Sequence, residues 1–232
     1  MPEKDTIRLA YQPRKDEVME YHVVTSSLQH VREGDRAATH EYCLEMLIEE
    51  RIVREVPPDA FDAEFSIREG SVTKNSMTTP LRPAEQTLTV TMRKNGEIIA
   101  SSVRLPFVYP SFPERDLSPG DSWRGSGEVL FPAGAPSELR GKKRSLTFDY
   151  EYTYEGLLPI GDLECAVIAV SCPGTSLPAG DNAHAKITAG GKVFFAHRQG
   201  RLLGFHMTTA TVIDSGDAHV ESRVTTKLEL AV

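Results

Sequence analysis

The sequence predicts an all-β fold on three observations. Apolar and polar residues alternate with period two over most of the chain, as they do on strands with one face in a core. Clusters of Gly, Pro, Asn and Asp punctuate those runs where turns are needed. No capped helix of ordinary length is required anywhere. The expected architecture is a set of long antiparallel meander strands in one or two curved sheets, forming a half-barrel or two pseudo-repeated β lobes. The expected boundaries are an N-terminal lobe over residues 1–104, a proline-rich linker over 105–122 and a C-terminal lobe over 123–232.

A short leading strand is expected near Ile7 to Tyr11. From Glu17 to Ser27, Met19, Tyr21 and Val23 alternate with Glu20 and His22, a strand that turns at Arg32 to Arg36. Residues 39–56 read two ways. As a strand they place Tyr42, Leu44, Met46, Ile48, Ile52 and Val56 on one face; as a helix, Leu44, Leu47, Ile48 and Ile52 also form a stripe. The strand is favoured, because the alternation breaks only at Glu50 and Arg54 and both flanks are strand-like. Pro57-Pro58 ends the segment either way. Phe61, Ala63, Phe65 and Ile67 then alternate with polar residues, and Ser71 to Glu85 reads as a polar connection. The run TLTVTMRKNGEIIASSVR predicts a hairpin with a type I′ turn at Asn95-Gly96. Its register pairs Lys94 with Glu97, Met92 with Ile99, Val90 with Ser101 and Leu88 with Val103.

Between Leu105 and Gly120, Pro106, Pro110, Pro113 and Pro119 each fix φ and remove a backbone donor, so an extended connection is expected. Pro119-Gly120 is turn chemistry, and a strand should begin near Trp123, the chain's only tryptophan. Trp123 reads as a plug under the linker whose N–H needs one acceptor, or as a stacking platform for a ligand. After a loop carrying the basic cluster Lys142, Lys143 and Arg144, Leu146, Phe148, Tyr150, Tyr152 and Tyr154 form an aromatic strand face. A turn over 155–162 leads to Leu163 to Cys172, apolar on both parities, and Pro173 to Asn182 reads as a loop. A second hairpin, centred on Gln199-Gly200, is expected to pair Phe194 with Phe205 and Ala196 with Leu203. The last strand runs from His219 to Val232. The hairpins TVTMRKNGEIIASS and VFFAHRQGRLLGFH share an outline with a Gly at the turn, which suggests an internal repeat.

A net charge of -7 opposes attraction to phosphate backbones and anionic lipid surfaces, so nucleic acid is not an expected partner. Neither a leader with an apolar core nor a long apolar run is present, and no integral membrane segment is expected. The chain as given is expected to be soluble and cytoplasmic, or extracytoplasmic if an export signal has been removed. Of the three cysteines, Cys165 and Cys172 are too far apart along one strand to pair, and free buried thiols are expected.

The Gly120-Asp121-Ser122-Trp123 motif behind a proline-rich linker, with Gly191-Lys192-Val193-Phe194-Phe195 and Gly200-Arg201-Leu202-Leu203 later, resembles a set of bacterial proteins. These look like relatives of the half-barrel folds of envelope lipoprotein carriers (LolA/LolB-like), in which a curved antiparallel sheet holds an acyl chain. The resemblance implies a fold and points to apolar ligand binding.

No catalytic, metal or cofactor signature accompanies it. There is no C-x-x-C, H-E-x-x-H or G-x-S-x-G, and His197 and His206 are expected four rows apart, roughly 13 Å at strand spacing, too far to share a metal. The expected function is a non-enzymatic binding module in which Trp123, Phe148, Tyr150, Tyr152, Phe194 and Phe205 line a groove for an apolar ligand, lipid or peptide. The competing reading makes these aromatics plain core. The alternative function is a structural or assembly protein acting through strand edges. An enzyme ranks last, since no nucleophile or base can be named.

Overall fold

The computed structural model describes residues 6–81, 87–102, 109–130, 145–180, 183–216 and 218–231. They form β1 (Val18–Glu33), β2 (Arg36–Val56), β3 (Ala60–Lys74), β4 (Met77–Pro80), β5 (Leu88–Arg93), β6 (Ile98–Ser101), β7 (Ser122–Leu130), β8 (Ser145–Ile160), β9 (Leu163–Gly180), β10 (Ala183–Ala196), β11 (Arg201–Ser215) and β12 (Ala218–Leu230). No helix occurs among the described residues, and none is long and apolar enough to cross a membrane.

All twelve strands belong to one antiparallel sheet in the order β6-β5-β3-β2-β1-β12-β11-β10-β9-β8-β7, with β4 on β3. The sheet is curved and does not close into a barrel, as the all-β expectation held. Residues from the two ends of the sequence meet at its centre, where β1 pairs with β12 from Tyr21↔Leu230 to Glu33↔Ala218. The ambiguous segment is strand throughout. Its two breaks in alternation have different causes. Glu50 stays in phase, opposite Met19 and Phe65, and points into the core. Arg54 is moved to the other face by a bulge between Ile52 and Arg54, where it meets Asp62 at 2.6 Å.

Several local expectations are corrected. Ile7 to Tyr11 is not a strand: it makes one bridge, Ile7↔Leu117, and otherwise runs through the core. Part of the expected polar connection is strand, because β3 continues to Lys74 and folds back as β4 around Asn75 and Ser76, at φ 46° and 69°. That two-residue turn has the positive φ pair of type I′. The Asn95-Gly96 turn does not: only Gly96 has positive φ, its N–H donates to the Arg93 carbonyl at 2.8 Å, and the extra residue bulges the hairpin. Val90↔Ser101 forms as expected, but Met92 faces Ile98 rather than Ile99.

On the other side, β8 runs on to Ile160 through a bulge at Gly156 (φ 132°), and the turn shrinks to Gly161-Asp162. β9 extends through Pro173 and Pro178, where a loop was expected. Prolines are tolerated there because β8 pairs with β9 only as far as Ser171, leaving that edge without a ladder to break. In the β10–β11 hairpin a four-residue turn, closed by Gly200 N–H on the Ala196 carbonyl, sets Ala196↔Arg201, and a bulge follows between Phe194 and Phe195. Phe205 therefore faces Val193, and Phe194 faces Gly204, not the pairs expected. Val103, the basic cluster at 142–144 and linker residues 105–108 lie outside the described residues.

A single sheet cannot bury its own inner face, and two extended segments fill it. Residues 6–14 contribute Ile7, Leu9 and Tyr11; residues 109–121, here called the strap, contribute Tyr109, Phe112 and Leu117, all under 9% exposed. Backbone hydrogen bonds tie these segments to the sheet. Tyr11 N–H donates to the Lys94 carbonyl (2.6 Å) and Gln12 N–H to that of Gly200 (2.9 Å), so consecutive residues join the turns of two distant hairpins. Phe112 N–H reaches the Asn95 carbonyl (2.7 Å), and Tyr154 and Asp121 anchor the strap's far end. The shared glycines of the two hairpins sit at these contacts. A Cβ on Gly96 would run into the Pro110 carbonyl, and one on Gly200 into Gln12. Pro119-Gly120 makes the expected turn, with Gly120 at φ 95° and Asp121 N–H on the Ser118 carbonyl.

Candidate functional site: the inner face of the sheet

The inner face divides into two zones. Beneath the strap lies the aromatic set. Phe148, Tyr150, Tyr152 and Phe205 are buried, at 4%, 7%, 3% and 6% exposure, and all four point inward. Tyr150 and Tyr152 meet edge to face at 5.0 Å with their hydroxyls 3.2 Å apart, and Phe148 adds a ring 5.8 Å from Tyr150. Gly125 of β7 makes room for this group, since a Cβ there would clash with both tyrosine rings. Trp123 is half-buried, stacks on Tyr152 at 5.3 Å and donates its Nε1–H to the Ser111 carbonyl of the strap at 2.8 Å.

Five of the six expected site residues are thus brought to one face. Phe194 is not: the alternation of β10 puts Val193 and Phe195 in the core, at 5% and 0% exposure, and Phe194 half-buried on the outer face, while the bulge at Leu203 of β11 gives Phe205 Val193 as its partner instead. The space left among Tyr150, Tyr152, Val193, Phe205, Met207 and Pro110 is about 20 Å³. That is room for a water, so with the strap seated the aromatics pack as core. Burial raises the Tyr150 and Tyr152 phenols above their ordinary value, keeping both neutral at physiological pH.

The second zone is a half-exposed band. Val72, Leu44, Thr25, Thr226 and Met207 lie in register across β3, β2, β1, β12 and β11, followed by Tyr42, Ser27, Val224 and Thr209 in the next row. Each of these side chains is half-buried except Tyr42, which is 38% exposed. Nearer the strap the same strands carry Tyr21, Met46, Ile48 and Leu228 at 3% exposure or less. Met207 belongs to both zones, reaching the aromatic crevice from the band.

One polar group in the core escaped the aromatic reading. Glu50 is 2% exposed and accepts a hydrogen bond from the Tyr109 hydroxyl of the strap at 2.7 Å. Burial raises its pKa from 4.5 to about 7, outweighing the hydrogen bonds from Tyr109 and Tyr21 that favour the anion. Its signal in the sequence was the broken alternation of β2: a carboxylate in phase with an apolar face.

The outer face is polar, and several of its ionisable groups are paired with one another. His22 meets Glu45 at 2.9 Å, His197 meets Glu164 at 3.0 Å, and His219 lies between Asp214 (2.6 Å) and Glu221 (3.1 Å). Those two carboxylates, Asp214 first, hold the His219 pKa above its ordinary value and occupy both ring nitrogens. His197 lies in the β10–β11 turn beside an open cleft of about 750 Å³ formed with Leu157, Pro159 and Glu164. Among the described residues, no group of three or more His, Cys, Asp or Glu is gathered to hold a metal ion. Cys165 and Cys172 are buried and Cys43 half-buried, all as free thiols; burial raises the Cys165 pKa, away from thiolate reactivity.

No family model and no curated protein matches the chain. Among solved structures, one of lipid-protein interactions in lipovitellin superposes with a TM-score of 0.49 at 10% identity, covering 95% of this chain and 26% of that one. This chain therefore spans about a quarter of that structure's length. The translocator domain of the autotransporter NalP from Neisseria meningitidis gives a TM-score of 0.24 at 10% identity, covering 94% and 89% of the two chains. At these values neither likeness carries an inference about what this chain does.

Proposed function

We propose that the protein is a non-enzymatic binding module whose inner face takes the apolar chain of a lipid-like ligand. The observation that carries this reading is the half-exposed band from Val72 to Met207, an in-register apolar and hydroxyl surface that continues the core past the strap. An alkyl chain laid across it gains about 0.8 kcal/mol per buried CH₂, and the threonine hydroxyls can accept a polar head. The aromatic set adjoins this surface through Met207, so Trp123, Phe148, Tyr150, Tyr152 and Phe205 form the deep end of the same site where the strap is lifted from them. Phe194, on the outer face, is not part of it.

The test is direct. Protein made in cells is extracted with organic solvent and weighed by native mass spectrometry, and purified protein is titrated with a pyrene-labelled C16 fatty acid. Saturable binding that weakens at least tenfold in Leu44→Asp, with an unchanged circular dichroism spectrum, supports the site. Clean apo protein that leaves the probe unbound removes it. A second reading has its own observation: β6 ends the sheet with all four residues exposed, Ile98 at 40% and Ile99 at 53%, as a strand open to augmentation would. Sedimentation showing a strict monomer at high concentration would count against self-assembly through that edge.

A further inference from the structure

Glu50 is a buried carboxylate where sheet, N-terminal segment and strap converge. Every element packed there sends a group towards it: Tyr109 from the strap, Tyr21 from β1, Glu17 just before β1, Tyr11 from the N-terminal segment and Arg201 from β11. β3 contributes apolar rings, Phe65 opposite Glu50 and Phe61 at the same space. Arg201, the only cation lining this space among the described residues, reaches Glu17 at 3.9 Å. The enclosed void is about 10 Å³, scarcely enough for one water. A neutral carboxyl fits this place; a charged one lacks a solvent shell, and Arg201, which lines the space, pairs with Glu17 rather than with Glu50.

We propose that Glu50 is a protonation-sensitive clasp beneath the strap: neutral Glu50 lets the Tyr109 end of the strap sit on the inner face, and ionised Glu50, a charge buried under it, loosens that end and uncovers Tyr150, Tyr152 and Phe205. That end is suited to release: residues 109–111 belong to no strand, Pro110 has no backbone donor, and the carbonyls of Pro110 and Ser111 are held by the Tyr11 hydroxyl and the Trp123 indole, whereas from Phe112 on backbone hydrogen bonds tie the strap down. The sign follows from the raised pKa. With Glu50 at about 7 when the strap is seated and near 4.5 when it is solvated, the seated form is fully favoured below about 4.5 and loses ground as pH rises through 7. Each pH unit in that window shifts the balance up to about tenfold towards release, and nothing further is gained above it.

The single tryptophan makes this measurable without any ligand, so the outcome is separate from that of apolar binding. Iodide quenching of Trp123 and amide exchange of residues 109–121, corrected for its intrinsic pH dependence, are followed from pH 5 to 8 in the wild type, Glu50→Gln and Tyr109→Phe. Wild type is expected to show at least a twofold rise in quenching and faster strap exchange as pH rises, with the sheet's circular dichroism constant. Glu50→Gln, which keeps an acceptor but never ionises, stays closed throughout; Tyr109→Phe, which loses the one strap hydrogen bond that favours the buried anion, opens further than the wild type as pH rises. A wild type that is flat across this range, or a Glu50→Gln that opens as the wild type does, overturns the clasp.

Discussion

Phe112→Ala tests whether the strap is a structural part of the core. The ring is 3% exposed and stacks on Tyr11 at 5.5 Å while meeting Phe195 edge-on at 4.7 Å, so it joins strap, N-terminal segment and β10. Burying an aromatic side chain removes roughly 150–250 Å² from water, which at about 25 cal/mol per Å² amounts to about 4–6 kcal/mol as an upper bound. Measured Phe→Ala substitutions in cores cost about 3–5 kcal/mol, the spread reflecting how far the site collapses. The assay is urea denaturation at pH 6, followed by Trp123 fluorescence and far-ultraviolet circular dichroism on the same samples. Both signals should move together, because a sheet without its filler exposes Phe195, Phe61 and Tyr21. Met77→Ala, at a side chain 73% exposed on β4, is the control and should stay within about 0.5 kcal/mol. A loss under about 1 kcal/mol for Phe112→Ala, or a circular dichroism transition that does not move, would refute the claim that the strap completes the core.

Two further substitutions probe the frame. The Asp62 carboxyl is held below its ordinary value of 3.8, first by the Thr91 hydroxyl at 2.7 Å and then by Arg54, whose largely exposed guanidinium is screened by solvent. Its contribution is present above that value and lost as pH falls through the lower folded one. Asp62→Asn should therefore cost about 1–3 kcal/mol at pH 7 and progressively less as pH falls below 3.8, read from urea midpoints; a cost that does not fall with pH would contradict it. Gly96→Ala combines strain at φ 91° with a clash on the Pro110 carbonyl, whereas Gly34→Ala at φ 54° meets nothing within 4 Å. The second should cost about 1 kcal/mol and the first clearly more; matching midpoints would mean the turn does not press on the strap.

Much of the fold could be read without coordinates because side-chain alternation is local. Tyr21 and Val23, or Phe61, Ala63 and Phe65, mark their inner face by parity alone, and Pro119-Gly120 marks its turn by its own backbone limits. The aromatic face of β8 was legible for the same reason, and with it most of the candidate site. What failed were bulges. One extra residue opposite Phe194, or after Ile52, reverses which side chains face inward, and nothing in the local pattern sets where the ladder slips.

The sequence by itself determined that this is an all-β chain of alternating strands with an extended proline-rich connection, since those properties belong to single residues and their immediate neighbours. Only the tertiary structure decided that β1 and β12 join the two ends of the chain in one sheet, and that residues 109–121 of this connection pack on its inner face. It also decided that Glu50 meets Tyr109, 59 positions away. Contacts of that kind depend on how a curved surface is filled, a property of the assembled sheet that no stretch of chain carries alone.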